Sequence, residues 1–175
     1  MKTIKIKDYS QIPKDFTGII EESNGSKHSF LNGKYHRETG PAYESITGTK
    51  MWYLNGKLHR DNDLPAIEYS DGYKVWCLNG LRHRETGPAA EYVNGTKFWY
   101  LNGKRHRENG LHACEQSNGS KEWHLNGKLH RENDQPAIEW ADGTKIWFLN
   151  GERHRENGSA VEFANGTKQW WYLGE

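Results

Sequence analysis

The chain has 175 residues, with 24 Lys and Arg against 23 Asp and Glu and a net charge of +1. That length suits one domain or one short repeat array, and the near-neutral balance argues against an electrostatic nucleic-acid binder. No apolar run approaches the ~18 residues of a membrane helix, no signal-peptide core opens the sequence, and Cys77 and Cys114 give neither a disulfide framework nor a metal spacing. A cytoplasmic protein with no transmembrane segment and no cofactor is therefore expected. Leu, Ile, Val and Phe total only 29 residues, whereas there are 8 Trp, 9 Tyr and 19 Gly. A chain built on aromatics and tight turns fits this composition better than a thick aliphatic core.

In chain order, residues 1–16 read as an N-terminal cap, with a strand at Ile4 and Ile6 and a turn near Pro13. Residues 17–175 are a repeat domain. After a half-repeat at Ile19-Ile20-Glu21, the motif Leu-Asn-Gly-x-x-His-Arg begins at Leu31, Leu54, Leu78, Leu101, Leu125 and Leu149, at spacings of 23 or 24. An acid follows each His-Arg: Glu38, Asp61, Glu85, Glu108, Glu132 and Glu156. The last copy breaks off in Trp170-Trp171-Tyr172-Leu173-Gly174-Glu175.

Each copy carries two Asn-Gly or Asp-Gly turns, which tolerate positive φ and favour β-hairpins, and a looser break after His-Arg. The intervening runs have period-two character, as in Lys97-Phe98-Trp99-Tyr100-Leu101. The expected fold is all-β: an elongated, single-layer antiparallel β-meander of stacked hairpins, with about six repeats and roughly twelve or more strands.

A two-residue turn at Asn102-Gly103 sets Leu101 opposite Lys104, Tyr100 opposite Arg105, Trp99 opposite His106 and Phe98 opposite Arg107; a three-residue turn shifts every pair. Under the first register, the near-constant Trp, Leu and His share one face, expected to be packed. Its structural positions are Trp52, Trp76, Trp99, Trp123, Trp147 and Trp170, with His59, His83, His106, His130 and His154. The other face varies between copies and is expected to be exposed. Registered Glu (Glu44, Glu68, Glu91, Glu115, Glu139, Glu162) and Lys (Lys50, Lys74, Lys97, Lys121, Lys145, Lys168) read as a cross-strand charge ladder.

The run from Trp99 to His106 (Trp-Tyr-Leu-Asn-Gly-Lys-Arg-His), and Trp-x-Leu-Asn-Gly-Lys-Leu-His ending at His59 and at His130, resembles the MORN repeat. The chain is similar to variants of that family found in viral, phage and bacterial proteins. The resemblance covers about residues 17–175. It implies stacked hairpins and a scaffolding or partner-binding role, with lipid-headgroup binding claimed for some members. The viral and phage association makes an inhibitor of a host protein, acting in the host cytoplasm, the specific expectation.

Histidines in register invite a metal reading. Equivalent residues two strands apart are ~9.6 Å apart, however, and tetrahedral zinc needs nitrogens ~3.3 Å apart, so no metal site is expected. The arginines of the His-Arg pairs should pair with the following acids or stack on aromatics. No unlike site stands out among such similar copies, which argues against an enzyme. What remains is the variable face, where Tyr53, Tyr100, Phe148, Arg82, Arg105 and Arg153 are the candidate partner-binding residues, since aromatics and Arg anchor interfaces. The leading expectation is a non-catalytic scaffold that binds a protein partner. A small-ligand, nucleotide or phospholipid-headgroup binder is the alternative and an enzyme comes third. A small anionic ligand and homo-oligomerisation stay open.

Overall fold

A computed structural model describes residues 3–6 and 12–171. Tyr172, Leu173, Gly174 and Glu175, the end of the final copy, lie outside the described residues. Among those described, the structure is β-strand and turn throughout, with no helix, and its strands form successive antiparallel hairpins. Contacts divide the chain into two compact units, Met1–Ala89 and Ala90–Glu175.

In the first unit the main ladder runs through Gly18–Glu22, Lys27–Leu31, Tyr43–Glu44, Lys50–Met51, Ile67–Glu68 and Lys74–Val75, each antiparallel to the next. Thr3–Ile6 caps it, pairing with Gly18–Glu22 in parallel. The Phe16 amide closes the turn at Pro13 by donating to its carbonyl at 3.1 Å. In the second unit the ladder runs through Ala90–Glu91, Lys97–Phe98, Cys114–Glu115, Lys121–Glu122, Ile138–Glu139, Lys145–Ile146, Val161–Glu162 and Lys168–Gln169.

The two turn signals build different turns. In Leu-Asn-Gly both residues have positive φ, 50° at Asn102 and 80° at Gly103, and Tyr100↔Arg105 and Leu101↔Lys104 pair directly. This is the two-residue turn whose twist suits a hairpin. At the other signal only the glycine has positive φ, 89° at Gly95. Tyr92 donates its amide to the Thr96 carbonyl at 2.9 Å, and the Asn94 side chain accepts from the Thr96 amide at 2.9 Å, giving a three-residue loop.

The run Lys97–Leu101 is not one strand. Lys97–Phe98 belongs to the main ladder, Trp99 is a break, and Tyr100–Leu101 pairs with Lys104–Arg105 in a separate small hairpin. Phe98 therefore sits opposite Ala90 and Cys114 rather than Arg107. The Trp99 carbonyl still accepts from the His106 amide, at 3.1 Å, so the break spans a single residue. The Trp99 amide donates instead to Ala113, at 2.8 Å, which turns the chain from the ladder into the hairpin.

Successive copies are stitched together by backbone groups. The Gly amide of one hairpin turn donates to the outgoing strand of the preceding hairpin, as in Gly56 to Tyr35, Gly80 to Leu58, Gly127 to Arg105 and Gly151 to Leu129, all at 2.8 Å. At the opposite edge a Ser or Thr hydroxyl oxygen accepts from an amide of the next loop, as in Ile46 to Ser26, Ser117 to Thr96 and Ala141 to Ser120. Polar backbone is satisfied between neighbours, which lets a chain with few aliphatic residues hold its fold.

Both faces are used for packing. Trp76, Trp99, Trp123 and Trp147 are buried as expected, but Leu78, Leu125 and Leu149 of the constant set are exposed. The face expected to be open instead carries the apolar core of the first unit, where Ala66, Ile67, Val75 and Cys77 pack with Met51, Leu58, Tyr69 and Tyr73. The kink at each Trp contributes to the reversal: it lifts the Leu of the hairpin off the ladder, while Val75 keeps the ladder's inner side and Cys77, on the hairpin strand, packs in the same core.

Candidate functional site: the His-Arg edge and the variable face

The constant half of each copy is consumed by internal contacts. The Arg of His-Arg lies over the Trp of its own copy: Arg60 over Trp52 at 3.6 Å, Arg84 over Trp76 at 4.0 Å, Arg107 over Trp99 at 4.0 Å, Arg131 over Trp123 at 3.7 Å and Arg155 over Trp147 at 3.9 Å. Such cation–π stacking leaves the guanidinium edge free for hydrogen bonds. That edge donates to a carbonyl four or five residues on, as in Arg60 to Pro65 at 3.0 Å and Arg131 to Pro136 at 3.1 Å. It also pairs with the strand Glu: Arg60–Glu68 and Arg131–Glu139 at 2.8 Å, Arg155–Glu162 at 2.9 Å and Arg37–Glu44 at 3.4 Å. The Glu–Lys ladder exists as a Cα register, Glu115↔Lys121 and Glu139↔Lys145 for example, and Lys168 reaches Glu162 at 3.8 Å. The short ion pairs of this face, however, go to Arg, whose guanidinium, except at Arg37, is already fixed on the Trp.

The acid that follows His-Arg turns to the His instead. His Nε2 lies 3.1 Å from Asp61 at His59 and 3.2 Å from Glu108 at His106, and 3.7–3.9 Å from the acid at His36, His83 and His130. The other ring nitrogen joins copies: Nδ1 of His36, His59, His106 and His130 accepts the amide of Asn55, Asn79, Asn126 and Asn150 at 3.1–3.2 Å. A donor on Nδ1 makes that nitrogen an acceptor and leaves the proton on Nε2.

Between successive His-Arg loops lie clefts. One of about 500 Å³ is bounded by Glu38, Trp52, His59 and Asp61. Another of about 530 Å³ is bounded by Glu108, Trp123, Leu125, His130 and Glu132, and a third of about 450 Å³ by Glu132, Trp147, Leu149 and Glu156.

The six candidate partner-binding residues are spread over the variable face and are not equivalent. Tyr53, Tyr100, Phe148 and Arg105 are half-buried, whereas Arg82 and Arg153 are exposed. Tyr53 sits opposite Leu58 and stacks on Tyr35 at 5.1 Å. Cys77 lies opposite Arg82, and Phe148 opposite Arg153, whose guanidinium lies 5.3 Å from the Trp171 ring. Arg105 donates to the Tyr100 hydroxyl at 3.3 Å, pairs with Glu122 at 3.1 Å and covers Phe98 at 4.7 Å. Glu122 also accepts from His124 at 2.9 Å. That hydrogen bond and the neighbouring Arg105 hold the Glu122 carboxyl below the ordinary carboxylate range, against the effect of burial. Burial pushes the Cys77 thiol up to about 11 and the Cys114 thiol up to about 12, so neither is a thiolate at neutral pH.

Two features went unread in the sequence, and a third, the stacking of Arg on an aromatic, was read only in part. An Ala stands before each inner ladder strand and is fully or almost fully buried at Ala42, Ala66, Ala89, Ala113, Ala137 and Ala160. It recurs as regularly as the His, but a small residue announces no chemistry. The Arg–Trp stack could have been narrowed by its constant offset of eight residues between Trp52 and Arg60 and in the later copies. The loop after His-Arg has two forms, set by the 23- and 24-residue spacings, and they place the indole and guanidinium differently. Of the structural positions named from sequence, Trp52 is half-buried and Trp170 is 69% exposed.

Among the described residues no three His, Cys, Asp or Glu side chains cluster as a metal site, and no helix is long and apolar enough to cross a membrane. The repeated strand-hairpin array is consistent with a MORN-like repeat fold. No protein-family model matches the chain, and no curated protein matches it in sequence.

Proposed function

We propose that this chain is a non-catalytic, MORN-related repeat scaffold that binds another protein along the hairpins of its variable face. One observation carries the reading: the hairpins present exposed Arg82 and Arg153 on the variable face, the latter opposite half-buried Phe148. Apolar and guanidinium groups side by side are the composition of interface anchors. The resemblance to viral and phage repeats makes inhibition of a host or competing protein the specific form of this reading.

The test starts from a stoichiometric partner recovered from lysate and identified by mass spectrometry. Affinity for that purified partner is then measured with Arg82→Ala and Arg153→Ala combined. At least a tenfold loss with unchanged circular dichroism is expected, because truncating an anchor typically costs ~2 kcal/mol. Unaltered affinity removes this face as the interface. Arg105 is the weaker test residue, since its bonds to Glu122 and Tyr100 tie it to the fold.

A further inference from the structure

We infer that the His-Arg edge of the second unit is a docking track for a basic peptide segment in the polyproline II conformation, with Lys or Arg at every third residue. The inference rests on the reading of the chain as a protein-binding scaffold but uses a different surface. Two adjoining clefts share a wall at Arg131–Asn133, and three carboxylates mark their rims: Glu108, Glu132 and Glu156. The Glu108 and Glu132 side chains are 74% and 76% exposed.

Charge at the edge is uneven. Arg131 and Arg155 line the clefts, but they lie over Trp123 and Trp147 and are neutralised by Glu139 and by Glu162 with Asp134. Arg107 also lines the larger cleft, lying over Trp99 and donating to the His112 carbonyl, so three rim carboxylates face one arginine outside these ion pairs and the net charge is negative, which calls for a positive partner. The cleft walls include Trp123 and Trp147 beside exposed Leu125 and Leu149, an aromatic and aliphatic lining of the kind that receives polyproline II ligands.

A second observation points to a peptide. His130 lines the larger cleft and is nine-tenths buried; its Nδ1 accepts the Asn150 amide, while its Nε2 has no hydrogen-bond partner. That nitrogen is enclosed, so a main-chain carbonyl reaches it only with a side-chain movement at the cleft wall. Glu132, 3.9 Å away, is beyond hydrogen-bond range.

Pitch selects the conformation. Each copy contributes two ladder strands, so the rim acids repeat every ~9.6 Å at ~4.8 Å per strand. Polyproline II advances ~3.1 Å per residue with three residues per turn, so every third side chain returns to one side after ~9.3 Å. A β-strand advances a similar distance in three residues, but its side chains alternate and would present every second cation to solvent.

The test uses fluorescence anisotropy of labelled synthetic peptides with the full chain. A peptide of four Lys-Pro-Pro triplets should bind, while four Glu-Pro-Pro triplets should not. A peptide with the same four Lys and eight Pro, but with the lysines grouped together, should bind at least fivefold more weakly. Glu108→Gln, Glu132→Gln and Glu156→Gln combined should weaken Lys-Pro-Pro binding at least tenfold. Gln keeps an acceptor for His Nε2, and circular dichroism should show an unchanged fold. Equal binding of the grouped peptide would reduce the effect to bulk charge and overturn the inference, as would indifference to the triple variant or no binding of any basic peptide. Loss of Lys-Pro-Pro binding in the Arg82/Arg153 variant but not in the Gln variant would overturn the track while leaving the variable-face interface standing.

Discussion

The loops that follow His-Arg come in two lengths, and their difference shows how the array absorbs an extra residue. In the short form a glycine stands against the guanidinium of the same loop: a Cβ at Gly40, Gly87 or Gly158 would approach Arg37, Arg84 or Arg155 to 3.1–3.3 Å. In the long form two successive residues take positive φ: Asn62 and Asp63, Asn109 and Gly110, Asn133 and Asp134. This reversal aims a carbonyl at the next copy, where the indole N–H of Trp76, Trp123 or Trp147 donates to Asp63, Gly110 or Asp134 at 2.9 Å. Where the second residue is Asp, its carboxylate also grips the next Arg: Asp63 takes Arg84 at 2.8 Å, and Asp134 takes Arg155 at 3.1 Å. The extra residue is thus a device for anchoring the following copy, while the short loop uses its glycine to make room.

The strongest way to break the comparison is at the indole itself. Trp147→Ala should cost ~3–5 kcal/mol in chemical denaturation, because it removes a buried ring, the Arg155 stack and the bond to Asp134. Trp170→Ala should cost far less, since that ring is 69% exposed against 5% for Trp147. Equal losses would show that the Trp positions do not derive their stability from burial.

Next in size is the indole N–H alone. Trp147→Phe should cost ~1 kcal/mol more than Trp52→Phe, since among the described residues Trp52, which follows a short loop, makes no such bond. A matched pair of variants then sharpens the carboxylate's part. Asp134→Asn keeps a side chain that tolerates positive φ but removes the charge on Arg155, and should lower stability by ~0.5–1 kcal/mol. Gly110→Asp should change stability by less than ~0.5 kcal/mol, because the strain of a side chain at φ 67° offsets a new pair with Arg131, which stands at the same offset as Arg155 from Asp134.

The smallest effect is set by acid. Because the folded Glu122 carboxyl sits below its ordinary value of 4.5, its contribution to stability is full above that pH and is lost as the pH falls through the depressed value. Glu122→Gln should therefore flatten part of the decline in melting temperature below about pH 4.5. An identical acid limb in the two proteins would show that the His124 and Arg105 contacts do not stabilise the charged form.

Period, turn positions and hairpin register were legible because Asn-Gly pairs and the alternation around them are local signals. Tyr100↔Arg105 and Leu101↔Lys104 follow directly from a two-residue turn. The break at Trp99 was not legible, since it arises from competition for one residue's backbone: the Trp99 amide goes to Ala113 in the next copy and its carbonyl to His106 in the same copy. Reading Lys97–Leu101 as one strand then put Leu78, Leu125 and Leu149 inside and Val75 and Cys77 outside, the reverse of what they do. For the candidate site, sequence located Arg82 and Arg153 on the exposed hairpins, but it did not show that Arg105 is engaged by Glu122. That contact links residues 17 apart and depends on Glu122 standing where other copies have Val75 or Ile146.

The bond from a turn amide to the preceding imidazole has a consequence for how such a chain changes length. Within each unit the same socket, a His Nδ1, meets the same plug, an Asn amide, so the seam between neighbours there does not depend on which copies meet. A duplicated 24-residue segment such as 125–148 would arrive with both halves of the connection and leave no main-chain group stranded. The gene for such an array is free to gain or lose modules by slippage without relearning how to fold, and the reach of its binding surfaces becomes a quantity that selection can adjust in whole steps.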